Sequence, residues 1–145
     1  MLFQGEFRHS LDSKNRIVLP AAFRRELPED DTRRFVVTIG RRAQWLGLYT
    51  REAWLKRVAA LYEKYDADNE EDEKFLRDTF SSAYDLDLDA QFRFVLPKER
   101  REQVGVGKDL VFVGMGRYIE IWAEDRYDWY RAQRAGKQEP PGGKT

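Results

Sequence analysis

The sequence contains no cysteine and only one histidine, His9. Without cysteine the chain has no disulfide framework, no thiolate nucleophile and no zinc site of the cysteine type, which fits a reducing compartment. A single imidazole also supplies little for metal ligation or acid–base catalysis. The chain lacks an apolar run of about eighteen residues, and its first ten residues lack the pattern of a signal peptide. We therefore expect a cytoplasmic protein with no membrane partner.

The sequence has no net charge, because 26 basic residues balance 26 acidic residues. The charges are nevertheless unevenly spread: residues 1–60 carry twelve Lys or Arg against seven acids, 61–90 carry three against eleven, and 91–145 carry eleven against eight. Binding to nucleic acid depends on the local field rather than on the total charge. The two basic flanks are therefore compatible with an anionic partner such as nucleic acid. The acidic stretch at 62–74 is expected to be a solvated helix or loop.

A ten-residue segment occurs twice, as LDSKNRIVLP at 11–20 and as LDAQFRFVLP at 88–97, with six identical positions. Similar apolar segments follow each copy. Two small units in a chain of single-domain length should share one core. We therefore predict an α+β fold, mostly β, in one compact domain with internal pseudo-symmetry. The predicted divisions are a first repeat at 1–55, a helical connection at 56–84, a second repeat at 85–131 and a disordered tail at 132–145.

Hydrophobic periodicity gives a first assignment of the secondary structure. The predicted elements are strands at 16–19, 35–39 and 45–49 and helices at 51–65 and about 69–82. Pro20 is suited to start a short helix after the first strand. Thr50 is a plausible N-cap for the helix that begins at residue 51.

Five segments carry a resemblance to a known family. They are M-x-F-x-G-E-F at the start, LDSKNRIVLPAAFRREL, EKFLRDTFSSA at 73–83, LDAQFRFVLP and VGMGRYIEIW. Together they resemble the MraZ family of bacterial regulators, which are encoded with division and cell-wall genes, from residue 1 to about 131. The resemblance implies two swapped-hairpin β-barrel units of the AbrB type with flanking helices. It also implies a repressor that binds repeats in the promoter of its own operon, assembles into a homo-oligomeric ring and associates with the nucleoid.

The first copy of the repeat has residues suited to a DNA-binding turn. Asp12 can accept backbone N–H groups, and Asn15 tolerates left-handed backbone. Such a turn presents Lys14 as a phosphate-binding charge and Arg16 as a fork for phosphate or for the O6/N7 edge of guanine. We predict that Lys14, Asn15 and Arg16 contact DNA and that Asp12, an anion, shapes the turn. The alternative is an Asp12–Arg16 ion pair that only ties the hairpin.

The second copy departs further from the family pattern. Asp89 should shape its turn, with Gln91 and Arg93 as supporting DNA contacts. The family usually has glycine at the position of Phe92, and a phenylalanine would be strained at positive φ. We therefore expect a different or relaxed backbone in this second turn.

Two further arginines complete the candidates. Arg100 takes the place that Phe23 has in the first repeat, which should weaken the apolar anchor of the second short helix. Arg8 is a weaker DNA-binding candidate, and simple solvation at the surface is the alternative for it.

The sequence offers little for catalysis. It has no Gly-rich phosphate loop, no Ser-His-Asp order and no paired histidines. Asp85, Asp87 and Asp89 alternate, but such a run is more typical of a soluble edge than of a cation site. We predict that the protein is not an enzyme and uses no cofactor, no metal and no small-molecule substrate. The alternative to a DNA-binding regulator is a ring-forming protein-interaction scaffold without direct DNA contact.

Overall fold

The computed structural model describes residues 1–28 and 33–137, and these residues form a layered α+β fold. The strands are β1 (Glu6–Ser10), β2 (Arg16–Val18), β3 (Arg34–Ile39), β4 (Leu46–Thr50), β5 (Tyr84–Asp87), β6 (Arg93–Val95), β7 (Asp109–Gly114) and β8 (Ile119–Ala123). The helices are α1 (Ala21–Arg24), α2 (Arg51–Lys64), α3 (Glu70–Ser82), α4 (Lys98–Val104) and α5 (Glu124–Lys137). The predicted α+β class, mostly β, is confirmed.

Strands from the two repeats alternate within the sheets. Six strands form an antiparallel sheet in the order β1-β7-β8-β4-β3-β5, and β2 pairs with β6 in a separate two-stranded ribbon. If β1–β4 are exchanged for β5–β8, this order reads the same from the other end. Each repeat thus contributes its first strand to the edge of the other repeat's hairpin.

The expected closure of each repeat into a β-barrel is not found in the described residues. β1 and β5 lie at opposite edges of one open sheet, and β2 and β6 pair only with each other. The physical reason is the exchange of first strands: β1 pairs with β7 and β5 with β3, so the two repeats extend a shared sheet and neither closes on itself.

The ribbon and the three long helices α2, α3 and α5 cover opposite faces of the six-stranded sheet. Successive side chains of a strand point to opposite faces. Leu46 and Leu48 of β4 share one buried core with Ile17 and Phe94 of the ribbon. On the other face Tyr49 packs edge-on against Trp54 of α2, with ring centroids 5.4 Å apart. The fold therefore has three layers: the ribbon with the short helices α1 and α4, the sheet, and the long helices α2, α3 and α5.

Local signals in the sequence account for the two central helices. The Thr50 side chain accepts a hydrogen bond from the backbone N–H of Ala53 at 3.2 Å at the start of α2. Asn69 does the same for Asp72 at 3.0 Å at the start of α3. The first turn of α3 is also acidic, which favours the positive end of the helix dipole. Both predicted helices are confirmed, and the division proposed at residues 55 and 56 lies inside α2.

The C-terminal helix is longer than the sequence suggested. α5 ends at Lys137, so residues 132–137 are helical rather than part of a disordered tail. Ala132, Gln133 and Arg134 are good helix formers that extend the aromatic start of α5. The prediction of disorder for residues 138–145 falls outside the described residues. Within the described ranges, no helix combines the length and apolar character needed to span a bilayer.

Candidate nucleic-acid interface

The first Asp-x-x-x-Arg turn is organised around the carboxylate of Asp12. Asp12 Oδ1 accepts hydrogen bonds from the backbone N–H groups of Lys14 and Arg16, each at 2.8 Å. Asp12 Oδ2 accepts a third hydrogen bond from Arg16 Nε at 2.8 Å. Asn15 has a φ of 60°, in the left-handed region. The backbone N–H of Arg16 is the main reason that the pKa of Asp12 lies below its usual value, and the Arg16 side chain adds to the effect.

The second turn repeats this geometry. Asp89 Oδ1 accepts from the backbone N–H groups of Gln91 at 2.9 Å and Arg93 at 2.8 Å, and Asp89 Oδ2 accepts from Arg93 Nε at 2.8 Å. Phe92 has a φ of 60°, the same value as Asn15. The expectation of a different or relaxed second turn is therefore wrong.

Packing explains why Phe92 tolerates the left-handed backbone. Its ring is partly buried against the main core. The Arg33 guanidinium lies 4.4 Å from the ring centroid, and that of Arg24 lies 5.5 Å from it. Apolar burial and two cation–π contacts offset the backbone strain. Arg33 also donates to the backbone carbonyl of Asp89 at 3.2 Å, which ties it to the second turn.

The ribbon places both motif arginines on one exposed face. Its register pairs Arg16 with Val95, Ile17 with Phe94, and Val18 with Arg93. Ile17 and Phe94 point into the core, so Arg16, Val18, Arg93 and Val95 share the outer face. Val18 is 37% exposed and Val95 is 49% exposed. Arg16 and Arg93 are diagonal neighbours, a relation that separates positions by about 7–8 Å.

Each guanidinium is oriented by its aspartate and still reaches solvent. The side chains of Arg16 and Arg93 are both 30% exposed. Within the Arg16 guanidinium only Nε donates a hydrogen bond to the Asp12 carboxylate. Nη1 and Nη2 of Arg16 have no hydrogen-bond partner within residues 1–28 and 33–137. Arg93 Nη2 donates to Gln91 Oε1 at 3.0 Å. The ion pair therefore ties the hairpin and leaves the outer edge of Arg16 open to a ligand.

Arg8 has a different environment. It pairs with Glu124 at 3.1 Å and with Asp128 at 2.9 Å, and Glu6 lies 3.6 Å away. The hydrogen bonds to Asp128 and then Glu124 raise the pKa of Arg8 above its ordinary value. Because three acids surround this guanidinium, the geometry does not favour Arg8 as a DNA contact.

Arg24 and Arg33 are basic residues near the motifs that the sequence did not single out. Both lie against Phe92, so they bring positive charge to the turn in which glutamine replaces lysine. In the sequence, the basic pairs Arg24-Arg25 and Arg33-Arg34 lie on either side of the polar segment PEDDT at 28–32 and could have identified this region as positively charged. Their proximity to the second turn depends on two pairings that the local sequence does not encode: β2 with β6 for Arg24, and β3 with β5 for Arg33.

Arg100 occupies its position through polar contacts rather than apolar packing. Its guanidinium lies 5.3 Å from the Tyr84 ring centroid, and Nη2 donates to the carbonyl of Ser82 at 3.2 Å. Its counterpart Phe23 is 1% exposed. The short helices of the two repeats are thus anchored by different chemistry.

Two of the three alternating carboxylates, Asp87 and Asp89, are paired with arginines. Asp87 accepts from Arg34 Nε at 2.8 Å, and Asp89 accepts from Arg93. The described residues contain no group of three or more His, Cys, Asp or Glu side chains arranged to hold a metal ion.

The fold and the ribbon define a class of protein: a two-repeat α+β chain with paired Asp–Arg turns on one exposed ribbon, a surface suited to anions. A family model described as "MraZ protein, putative antitoxin-like" matches residues 2–78 and again residues 79–141. The chain therefore belongs to the MraZ family.

Curated relatives with the same family name agree over most of the chain. "Transcriptional regulator MraZ" of Syntrophomonas wolfei is 37% identical over 133 residues, covering 89% of this chain and 86% of the relative. "Transcriptional regulator MraZ" of Clostridium tetani is 33% identical over 129 residues, covering 89% of this chain and 87% of the relative. The protein is thus a transcriptional regulator and not an enzyme, as the sequence predicted.

Proposed function

We propose that this regulator binds double-stranded DNA through the outer face of the β2–β6 ribbon. The observation that carries the proposal is the shared placement of Arg16 and Arg93 on that face, each held through Nε by an aspartate. The major groove of B-DNA is wide enough for a two-stranded β-ribbon. The long helices α2, α3 and α5 lie on the opposite face of the sheet, so they do not cover the outer face of the ribbon.

Arg16 is the principal base-contacting residue in this proposal. Its two Nη groups form an end-on fork that fits the O6 and N7 atoms of guanine, and the Asp12 carboxylate fixes the direction of the fork. Asn15, at the tip beside it, adds an amide for a base edge or a phosphate. Arg93 acts in the same way at the other end of the ribbon, with Gln91 holding one of its Nη groups.

The remaining groups on this face contribute contacts of other kinds. Val95 lies directly across from Arg16 and Val18 directly across from Arg93. Both valines are exposed, so they can make apolar contact with thymine methyl groups. Lys14, Arg24 and Arg33 supply charge for phosphates, which fixes the position of the ribbon without adding sequence information. Asp12 and Asp89 shape the turns and make no DNA contact.

The biological setting follows from the family resemblance and belongs to the same proposal. The protein represses its own division and cell-wall operon by binding tandem promoter repeats at the nucleoid, as a homo-oligomeric ring of AbrB-like swapped-hairpin units. The exchange of first strands between the repeats supports the swapped-hairpin assignment. One ribbon provides few contacts, and several ribbons in a ring would gain avidity if their spacing matched that of the repeats.

The test is a fluorescence-anisotropy titration with duplex DNA from the region upstream of the protein's own gene. Arg16→Ala should weaken binding by about 5-fold to 150-fold, the range for losing one bidentate base contact. Arg16→Lys keeps the charge but loses the fork, so it should remain clearly weaker than the wild type on this DNA. Both variants should differ less from the wild type on an unrelated duplex.

Arg77→Ala is the matched control, because Arg77 is exposed on α3 in the helical layer. It should leave DNA affinity unchanged. Wild-type affinity should fall steeply with salt. Near wild-type affinity of Arg16→Ala at moderate salt would refute the role of Arg16. A ring that forms in solution but binds no DNA at low salt would favour the scaffold alternative.

A further inference from the structure

A cleft lies on the helical side of the sheet, away from the ribbon. It has a volume of about 810 Å³ and lies between the β3–β4 turn and helices α2 and α3. Its floor includes Thr38 and Tyr49, which alternate with the core-facing residues of β3 and β4. The volume falls within the range of small-ligand sites. The cleft and the ribbon are therefore separated by the thickness of the sheet.

The cleft is strongly basic. Arg41, Arg42, Arg57 and Lys64 line it, and Asp78 is the one acid among its lining residues. None of these four cations forms an ion pair with an acid of the described ranges, where the pairs involve other residues. Four cations without an ion pair, against one lining carboxylate, leave the cavity positive and favour an anion that carries more than one charge.

One wall of the cleft is aromatic. Phe75 is 39% exposed and stacks on Tyr65, with ring centroids 4.4 Å apart. Trp45 also lines the cleft, and its ring stacks on Trp122 with centroids 5.3 Å apart. A planar ring entering the cleft would thus find aromatic surface next to the cations.

The turn that supplies two of the cations has an uncommon backbone. Arg42 and Ala43 have φ values of 57° and 54°, two successive left-handed residues without glycine. Arg126 donates to the carbonyl of Ala43 at 3.3 Å and holds the turn in place. Non-glycine residues in this region often mark ligand-binding segments.

We propose that this cleft binds a nucleoside polyphosphate. The planar base lies against the aromatic wall, and the phosphates lie among Arg41, Arg42, Arg57 and Lys64. A free inorganic phosphate would use the cations but not the aromatic wall. The backbone of duplex DNA offers the same phosphate chemistry, but a cavity of about 810 Å³ under α2 and α3 suits a small ligand better than a rigid duplex.

Isothermal titration calorimetry on the full chain tests the proposal with four probes: ATP, GTP, adenosine and tripolyphosphate. At least one of the two nucleotides should bind, tripolyphosphate should bind about tenfold or more weakly than that nucleotide, and adenosine should not bind measurably. Arg57→Gln should weaken nucleotide binding by about 10-fold to 100-fold, as expected for the loss of a charge-assisted contact. Arg51→Gln is the matched control, because Arg51 is exposed on the same helix but does not line the cleft.

A second variant separates binding from folding. Arg42→Gly removes a cation at a position whose positive φ suits glycine. It should weaken nucleotide binding without lowering the melting temperature.

Three results would overturn the proposal. The first is the absence of ATP and GTP binding at millimolar concentration. The second is tripolyphosphate binding as tightly as the nucleotides, which would leave a plain anion site. The third is that Arg57→Gln changes DNA affinity or apparent mass in the absence of nucleotide, which would assign the cleft to DNA or to a contact between copies. The nucleotide titrations do not use the ribbon, so their outcome is independent of the DNA-binding proposal.

Discussion

Phe23 is the anchor that joins the N-terminal segment to the sheet, and its replacement by alanine gives a quantitative test of the fold. The side chain is 1% exposed. Its ring makes edge-to-face contacts with Phe3, Phe7 and Phe112, with centroid distances of 5.6, 5.2 and 6.3 Å. These three partners lie in different segments, so a cavity at Phe23 cannot be closed by the movement of one element.

The cost of Phe23→Ala can be estimated from these contacts. Burial of a phenylalanine and the residual cavity together amount to about 3–5 kcal/mol. Each edge-to-face pair adds about 0.5–1.5 kcal/mol, which places the loss in the upper half of that range, roughly 4–5 kcal/mol. For a chain of this size the melting temperature should fall by roughly 10–20 °C. Phe23→Leu fills most of the volume but loses the ring contacts, so it should cost about half as much.

Chemical denaturation monitored by circular dichroism measures the free energy of unfolding. Phe75→Ala is the matched control, because Phe75 is 39% exposed and its ring stacks on Tyr65. The control should cost about 1 kcal/mol or less. If Phe23→Ala costs no more than Phe75→Ala, the contacts attributed to Phe23 do not stabilise the fold.

Two further predictions follow from the turns and from β7. Hydrogen bonds from Arg93 and Arg16 lower the pKa values of Asp89 and Asp12, respectively, in the folded state. The stability that these hydrogen bonds contribute is therefore fully present above the unfolded-state pKa of 3.8, and it is lost as the pH falls through the lower folded-state pKa. Asp12→Asn and Asp89→Asn should lose less stability than the wild type between pH 5 and acid pH in denaturation series, and an unchanged acid dependence would contradict the assignment. A Cβ atom at Gly114 would lie 2.4 Å from the backbone nitrogen of Gln4, so Gly114→Ala should cost about 1–3 kcal/mol in thermal unfolding. Gly107→Ala, where the space is open, should cost far less, and equal losses would show that the approach of Gln4 to β7 is not close.

Much of this architecture can be predicted from local sequence. The duplicated decapeptide identifies the two turns, since the hydrogen bonds of each turn join residues within five positions. In the first turn these residues are Asp12, Lys14 and Arg16. The 3.6-residue periodicity and the caps Thr50 and Asn69 likewise identify α2 and α3. These features depend on neighbours in the chain, and for that reason they were predictable.

The features that sequence analysis missed depend on contacts between distant residues. The local rule that penalises Phe92 at positive φ is correct, but it omits the stabilising contacts of Arg24 and Arg33. The local sequence shows Arg8 only as a cation available for DNA. In the folded chain β1 lies beside the start of α5, and this places Glu124 and Asp128 against Arg8. The open sheet and its exchanged edge strands also depend on pairing between residues far apart in the chain, for example Glu6 with Val113 and Arg34 with Asp87.

The centre of the sheet explains why the two repeats are no longer interchangeable. β4 and β8 pair through Leu46 with Ile121, Gly47 with Glu120, and Leu48 with Ile119, so the pseudo-symmetry axis passes between Gly47 and Glu120. Glu120 is 6% exposed, and its carboxylate accepts hydrogen bonds from Trp122 Nε1 at 2.8 Å and from the Tyr118 hydroxyl at 3.2 Å. Burial raises the pKa of Glu120 above its ordinary value.

Each repeat would form a less favourable central pair with a copy of itself. Two second repeats would place two Glu120 carboxylates opposite each other in a buried position, where like charges repel. Two first repeats would place Gly47 opposite glycine and leave the space of the glutamate unfilled. Gly47 itself has little room to change, because a Cβ atom there would lie 3.0 Å from Thr38 Oγ1. The centre of the sheet therefore holds two different halves together, which allows the two ends of the ribbon to differ: Lys14 and Asn15 at one end correspond to Gln91 and Phe92 at the other. A symmetric frame with unequal ends therefore gives the ribbon a direction.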